Sequence, residues 1–339
     1  MNPPSPAEGL ERFLFCRRRR YAALGAVLCA LLLLVMLWRI AQGEWDIPLS
    51  RVFHLLSPVL SEAEAKTPEA LVVRAVRLPR VFAAMGTGGL LAVSGAVLQG
   101  LLANQLAEPY TLGIASGAAF GGAIGFFFTV FAVTPMAFAG ALLSLALVSL
   151  IARRSGGGAS HLVLAGVIAN AVLSAGVTLL KAVADDKLGA IVLWLMGSLS
   201  GASLQGAISV WLGAAAVLIP AWLYGRSLDA VSLGEGQGEL LGIDEKKLRF
   251  RLLCACSLAV ALAVSRFGII GFVGLVVPHI LRSLIGPSHR PLLIFCFLTG
   301  ALLLAGADGA AQRLGELPVG VITALAGGPF FCWILVKRK

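Results

Sequence analysis

Apolar runs of membrane length recur from Tyr21 to the C-terminal Lys337-Arg338-Lys339, separated by short basic or Gly/Pro-rich joints. Hydrocarbon offers no water to backbone N–H and C=O groups, so a run that crosses it must close its hydrogen bonds internally as a helix. The totals agree: 58% of the 339 residues are hydrophobic and only 13% charged, far from the charged surface of a soluble domain of this size. Forty glycines suit membrane helices, where small residues let backbones approach. The expected fold class is an all-α polytopic membrane protein.

A span takes about 20 residues. Ten are predicted, at 21–40, 80–103, 111–131, 135–152, 161–183, 189–201 running poorly into 205–225, 249–266, 268–286, 291–312 and 318–336. In the sixth, Trp194 to Gly201 reads as a short outer helix and Ala207 to Tyr224 as the span proper. With the N-terminus inside, 17 of the 27 basic residues fall on the inner side, among them Arg12, Arg17 to Arg20, Arg153, Arg154, Lys246, Lys247 and the three C-terminal ones. That bias sets orientation and puts both termini in the cytoplasm. It also accounts for the net charge of +10 without nucleic acid, because the basic residues sit in joints between apolar runs. Five others, Arg51, Lys66, Arg74, Arg77 and Arg80, crowd the first outer loop against the rule. Ten spans allow two inverted halves of five, a common transporter plan. The domain reading is a basic cytoplasmic segment at 1–20, then one transmembrane domain over 21–339. The first run reads as a span and not a cleaved leader, since Trp38-Arg39 closes it and no A-x-A site follows.

Little in the chain points to catalysis, a cofactor or a metal. The six cysteines include no CxxC pair and lie mostly inside apolar runs, so neither disulfide nor metal site is expected. His279, beside Pro278, has no ligating residue three or four positions on, and His54, His161 and His289 are isolated. No HExxH occurs, and the G-x-x-x-x-G-K-[ST] phosphate loop is absent. Any ATP hydrolysis would belong to another polypeptide.

Polar residues inside spans are costly and therefore functional candidates. Asn170, Ser174, Thr178 and Lys181 share one face of the fifth span. Asp308 and Gln99 are further candidates, with Lys181 and Asp308 placed near outer helix ends. Gly113, Gly117, Gly121 and Gly125 recur every four residues as a smooth seam, open to two readings: packing within the chain, or a path or contact face. The inner stretch 232–247 has an apolar side of Leu233, Leu240, Leu241 and Ile243 and a polar side of acids and lysines. It reads as an ordinary cytosolic loop or as a dock for a soluble partner.

Several segments resemble one family. Leu233-Gly234-Glu235 with Leu241-Gly242 is similar to the cytoplasmic coupling segment of FecCD-family permeases, the ABC importers of iron-siderophores, haem and vitamin B12. Arg77-Leu78-Pro79-Arg80 followed by Ser94 to Gly100 resembles another family element. Asn104 to Pro109 with Leu112-Gly113-Ile114 resembles the NPLAxPxxLGI joint, with Gln105 where proline is usual. Trp194 to Leu199, Gly271 to Arg282 and Glu316 to Gly320 are similar to its W-hydrophobic-MGS, GFxGLxxPHxxR and ELPxG elements, in family order.

The resemblance implies a permease subunit of a binding-protein-dependent importer for an iron chelate, haem or cobalamin. It implies a second copy of the chain, two ATP-binding cassette subunits on the inner face and a substrate-binding protein on the outer face. It also implies roles: Arg77, Arg80 and Arg313 dock the binding protein. Leu233, Gly234, Glu235, Leu240, Leu241 and Gly242, within a coupling segment at about 226–248, engage the ATPase. Asn170, Ser174 and Thr178 line the path. The rival is an ion-coupled secondary transporter, which calls for carboxylates at the bilayer midplane; only Asp308 is a candidate.

Overall fold

The computed structural model describes residues 6–43, 45–57, 61–156 and 158–337. Arg338 and Lys339, two of the basic residues counted on the inner side, lie outside them. In chain order the helices are α1 (Pro6–Ala41), α2 (Leu49–Leu56), α3 (Glu62–Ala65), α4 (Pro68–Leu71), α5 (Leu78–Leu101), α6 (Ile114–Phe128), α7 (Val130–Arg154), α8 (Ala159–Ala182), α9 (Leu188–Leu195), α10 (Leu204–Leu223), α11 (Gly225–Val231), α12 (Gln237–Leu240), α13 (Glu245–Phe267), α14 (Val273–Ile285), α15 (His289–Arg313) and α16 (Val319–Lys337). Seven stretches are long and apolar enough to cross a membrane, and three shorter apolar helices, α6, α14 and most of α16, accompany them. Each of the ten expected spans is therefore present as a helix, and the protein is a multi-pass membrane protein. The basic stretch Arg17 to Arg20 continues into the first span without a break, as part of α1.

Helix α5 is the axis. Every residue from Pro79 to Leu101 except Phe82 is buried, under α10, α14 and α15. Its glycines make this possible. A Cβ on Gly88 would lie 2.2 Å from the Gly300 carbonyl oxygen, and one on Gly300 would lie 2.4 Å from that of Gly88. Helices α5 and α15 thus touch backbone to backbone, the contact small residues permit in a membrane. The Gly seam of α6 does the same against α7: a Cβ on Gly117 would sit 2.5 Å from the Gly140 carbonyl oxygen. Of the two readings of that seam, packing within the chain is the one realised.

The helix ends sort into two faces. At one, the end of α1 and the start of α5 meet the end of α15. At the other, Arg20 reaches the Leu284 carbonyl, Arg290 stacks on Trp222 at 5.1 Å, and Arg153 stacks on Phe250 at 5.1 Å. The second face gathers basic residues from α1, α7, α13 and α15, as the loop charges required.

Two spans are interrupted. The sixth divides into α9 and α10, with Met196 to Ser203 non-helical between them. The short helix ends at Leu195, earlier than the sequence suggested, because Gly197 turns left-handed with φ 72° against the Ile269 carbonyl. Ser203 then opens α10 by accepting from the Gly206 N–H at 3.1 Å. The eighth span starts late: Gly268 to Phe272 is unwound before α14. At 1.5 Å per residue, α14 is only about 20 Å long, short of a hydrocarbon core of about 30 Å.

Candidate functional site

Unwound backbone at membrane depth must find its partners inside the protein. Tyr110, in the short 3₁₀ turn Pro109–Leu112, supplies them. Its hydroxyl donates to the Ile270 carbonyl at 2.7 Å and accepts from the Ile270 N–H at 3.2 Å. The Ser198 N–H donates to the Phe267 carbonyl at 2.8 Å. Three irregular segments, 109–113, 196–203 and 268–272, are tied together in this way.

Beside this knot lies a cavity of about 420 Å³ lined by Tyr110, Ser116, Asn170, Ser174, Thr178 and Lys181, among others. The polar face predicted for α8 is thus brought to one wall. Asn170 is held at both ends of its amide: it accepts from the Ser116 hydroxyl at 2.6 Å and donates to the Tyr110 carbonyl at 3.1 Å. Thr178 donates to its own helix, at the Ser174 carbonyl, at 3.0 Å. The wall is small and mostly uncharged, and its Asn170 and Thr178 side chains are already hydrogen-bonded.

The rim where α1, α5 and α15 meet, away from the basic face, carries a buried charge network. Asp308 is 1% exposed and meets two guanidiniums, Arg39 and Arg80, the latter at 3.0 Å. Arg80 also reaches Glu316 at 2.9 Å. Glu316 adopts φ 58°, a left-handed conformation few non-glycine residues take, at the turn that faces its carboxylate toward Arg80. Arg77 is buried and donates to the carbonyls of Ile40, Ala41 and Trp45. Arg74 donates to Leu55 and Ser57. Of the three arginines expected at the rim, Arg77 and Arg80 bind their own chain. Arg313 is exposed, with its guanidinium 4.6 Å from the Trp38 ring centre and bonded to Gln42.

At the opposite face, α11 and α12 carry the stretch expected to act as a coupling segment. Leu233, Leu240 and Leu241 are exposed, at 76%, 80% and 67%, an apolar knob on an otherwise polar surface. Gly234, Gly236 and Gly242 have positive φ and shape its turns. Glu245 ties the segment to α13, accepting from the Gly238 N–H at 2.7 Å. Glu235 reaches elsewhere: it accepts from the Ala159 N–H, at the first turn of α8, at 2.7 Å. Asp229 binds the start of α15, accepting from the His289 backbone N–H and ring Nδ1, both at 2.7 Å. Burial raises the Asp229 carboxyl, but the hydrogen bonds from His289 and Ser288 more than reverse this, and its pKa lies below the usual value.

The FecCD transport family profile matches residues 31–337. The chain belongs to the FecCD transport family. Among curated relatives of this FecCD-family chain, the vitamin B12 import system permease protein BtuC of Vibrio cholerae is 42% identical over 281 residues, covering 80% of this chain and 84% of the relative. The hemin transport system permease protein HmuU of Yersinia pestis is 38% identical over 282 residues, covering 78% and 83%. A solved inward-facing ABC transporter assigned to the metal-chelate type superposes with a TM-score of 0.81 at 30% identity, covering 93% of this chain and 99% of that one.

Sequence reasoning singled out the α8 residues that line the cavity and the exposed leucines of 233–241 but missed Tyr110, Arg39, Asp229 and Glu245. A lone tyrosine after Pro109 was the available signal for the first; the others carry no local mark. All six cysteines are free, and among the described residues no group of three or more potential metal ligands forms.

Proposed function

We propose that this chain is the permease subunit of a binding-protein-dependent ABC importer, carrying a bulky metal chelate such as siderophore-bound iron, haem or cobalamin into the cytoplasm. The observation that carries the reading is the cavity along Asn170, Ser174 and Thr178, walled by small polar groups and set among unwound segments in a chain of this family. A large chelate needs a wide path that does not hold it. ATP is hydrolysed by separate cassette subunits that dock on the exposed leucines of 233–241, at the basic face, which lies in the cytoplasm with both termini. A second copy of the chain covers α8, whose Val167, Ile168, Val172 and Leu179 are exposed beside the polar face. The binding protein docks at the outer rim, where Arg313 offers an accessible cation and Arg77 and Arg80 hold the surface in shape.

The ion-coupled alternative is disfavoured by Asp308, whose carboxylate is consumed by two arginines. The deciding experiment is uptake into proteoliposomes of labelled ferric siderophore, haem and cobalamin. Uptake of one of them is expected only with the ATPase, the binding protein and ATP all present. Accumulation driven by an ion gradient in vesicles holding this chain alone overturns the reading.

A further inference from the structure

A second cavity, of about 420 Å³, opens at the basic face between α7, α8 and α13. Three cations line it, Arg153, Lys246 and Arg249, with no carboxylate among its lining residues. Arg153 is braced by the Phe250 ring. Arg249 is largely buried, its Nε makes no hydrogen bond among the described residues, and its Nη2 forms only a long ion pair with Glu245, at 3.8 Å. The neighbouring acids are engaged: Glu245 accepts from Gly238 and Gly236, and Asp244 pairs with Lys247 at 2.8 Å. A cationic pocket with an under-bonded guanidinium calls for an anion with several acceptor oxygens.

The surroundings say which kind. Leu143, Leu147 and Leu150 form an exposed stripe on α7, and Phe250 and Leu258 are exposed on α13. Both stripes run from the membrane region toward the pocket, and Leu162 and Leu253 line it. Cations at the end of an exposed apolar stripe match a molecule with a charged head and long apolar tails. Basic pockets between helices at the cytoplasmic boundary take anionic headgroups by this logic.

We propose that Arg153, Lys246 and Arg249 hold the phosphate of an anionic phospholipid, with its acyl chains along the α7 and α13 stripes. The site needs only that the chain spans a membrane, and it stands whatever the cargo. It lies where α13 emerges from the coupling segment and where the Gly156 turn leads into α8, so a bound lipid would brace both.

The test is a titration of the purified full-length protein with phosphatidylglycerol and with phosphatidylcholine, read by native mass spectrometry, for the wild type and for R153Q/K246Q, whose two sites are exposed. Phosphatidylglycerol is expected to bind the wild type selectively and the variant about thirtyfold more weakly, the effect of removing two basic residues near a charged surface. Equal binding of both lipids, or of phosphatidylglycerol by both proteins, overturns the proposal. Inorganic phosphate that binds as tightly as the lipid and displaces it would make this a free-phosphate pocket and also overturns it. So does a variant that keeps its lipid and loses only the co-purifying ATPase, since the cations would then serve that partner. Should the variant fail to fold, wild-type phosphatidylglycerol binding must still weaken between low and high salt, and salt-independent binding refutes the site.

Discussion

The Glu235 carboxylate accepts a hydrogen bond from the Ala159 backbone N–H at 2.7 Å, across 76 residues of chain. Glu235 sits in the turn between α11 and α12, at the basic face. Ala159 opens α8, the helix whose Asn170, Ser174 and Thr178 wall the cavity. One bond therefore joins the segment proposed to feel the ATPase to the helix proposed to line the path. The first backbone N–H groups of a helix have no partner within it, so the carboxylate fills a vacancy the helix already has, and the macrodipole favours its charge there.

Replacing Glu235 with alanine is expected to leave insertion and ATPase association intact and to lower transport per ATP hydrolysed by about tenfold, the size of an ordinary coupling free energy. Glu235→Gln, which keeps an acceptor oxygen, should recover much of the loss. Parallel measurement of uptake and ATP turnover in the reconstituted complex checks this. An unchanged ratio in the alanine variant removes Glu235 from the coupling route.

Asp308 is shared by two buried guanidiniums, Arg39 and Arg80, the second of which also pairs with Glu316. Removing one partner of such a cluster leaves charge without compensation and costs about 3–5 kcal/mol. Asp308→Ala is expected to unfold at markedly lower temperature in detergent than the wild type. Arg313→Ala, at an exposed position, should unfold within a degree or two of it. Similar melting of both variants would show that the rim network does not hold the fold.

The approach of α5 to α15 leaves no room at Gly88. Gly88→Val is expected to destabilise by about 1–3 kcal/mol, the usual penalty for overpacking, and to reduce the folded yield. Thermal melting and gel filtration of the variant read this directly. A wild-type profile would mean the two helices can separate freely.

The Asp229 to His289 tie has a defined pH dependence. A carboxyl with its pKa held down contributes stability that is fully present above the unfolded value, about 3.9, and is lost as pH falls through the lower folded value. Hydrogen exchange in 225–231 should stay slow from neutral pH to about pH 4, relative to intrinsic rates, and quicken below it. Asp229→Asn should remove that acid step. Loss of protection near neutral pH in the wild type would contradict the assignment.

A path that binds weakly tolerates small changes and fails on large ones. Ser174→Ala is expected to transport within about twofold of wild type, since among the described residues only the Ser174 backbone carbonyl, and not its side chain, takes part in the hydrogen bonds of the wall. Ser174→Trp should block uptake while ATPase activity stimulated by the binding protein persists. Uptake assays on the two variants separate a path residue from a bystander.

The ten helices and the basic face could be read from the amino acids alone. Each apolar window settles its own transfer into hydrocarbon, and each joint carries its own charge, so neither depends on distant residues. Leu233, Leu240 and Leu241 were legible for the same reason, as apolar residues in a polar stretch. The fate of the rim arginines was not. Arg77, Arg80 and Arg313 look alike in the chain, yet two are buried on carbonyls and carboxylates and one is exposed. Arg80 finds Asp308 228 residues away, and only the packing of α5 on α15 brings them together. The breaks at Gly197 and Gly268 and the Tyr110 knot have the same origin. Each joins unsatisfied backbone groups to partners remote in sequence, and with no water available in the membrane the tertiary structure had to choose which ones.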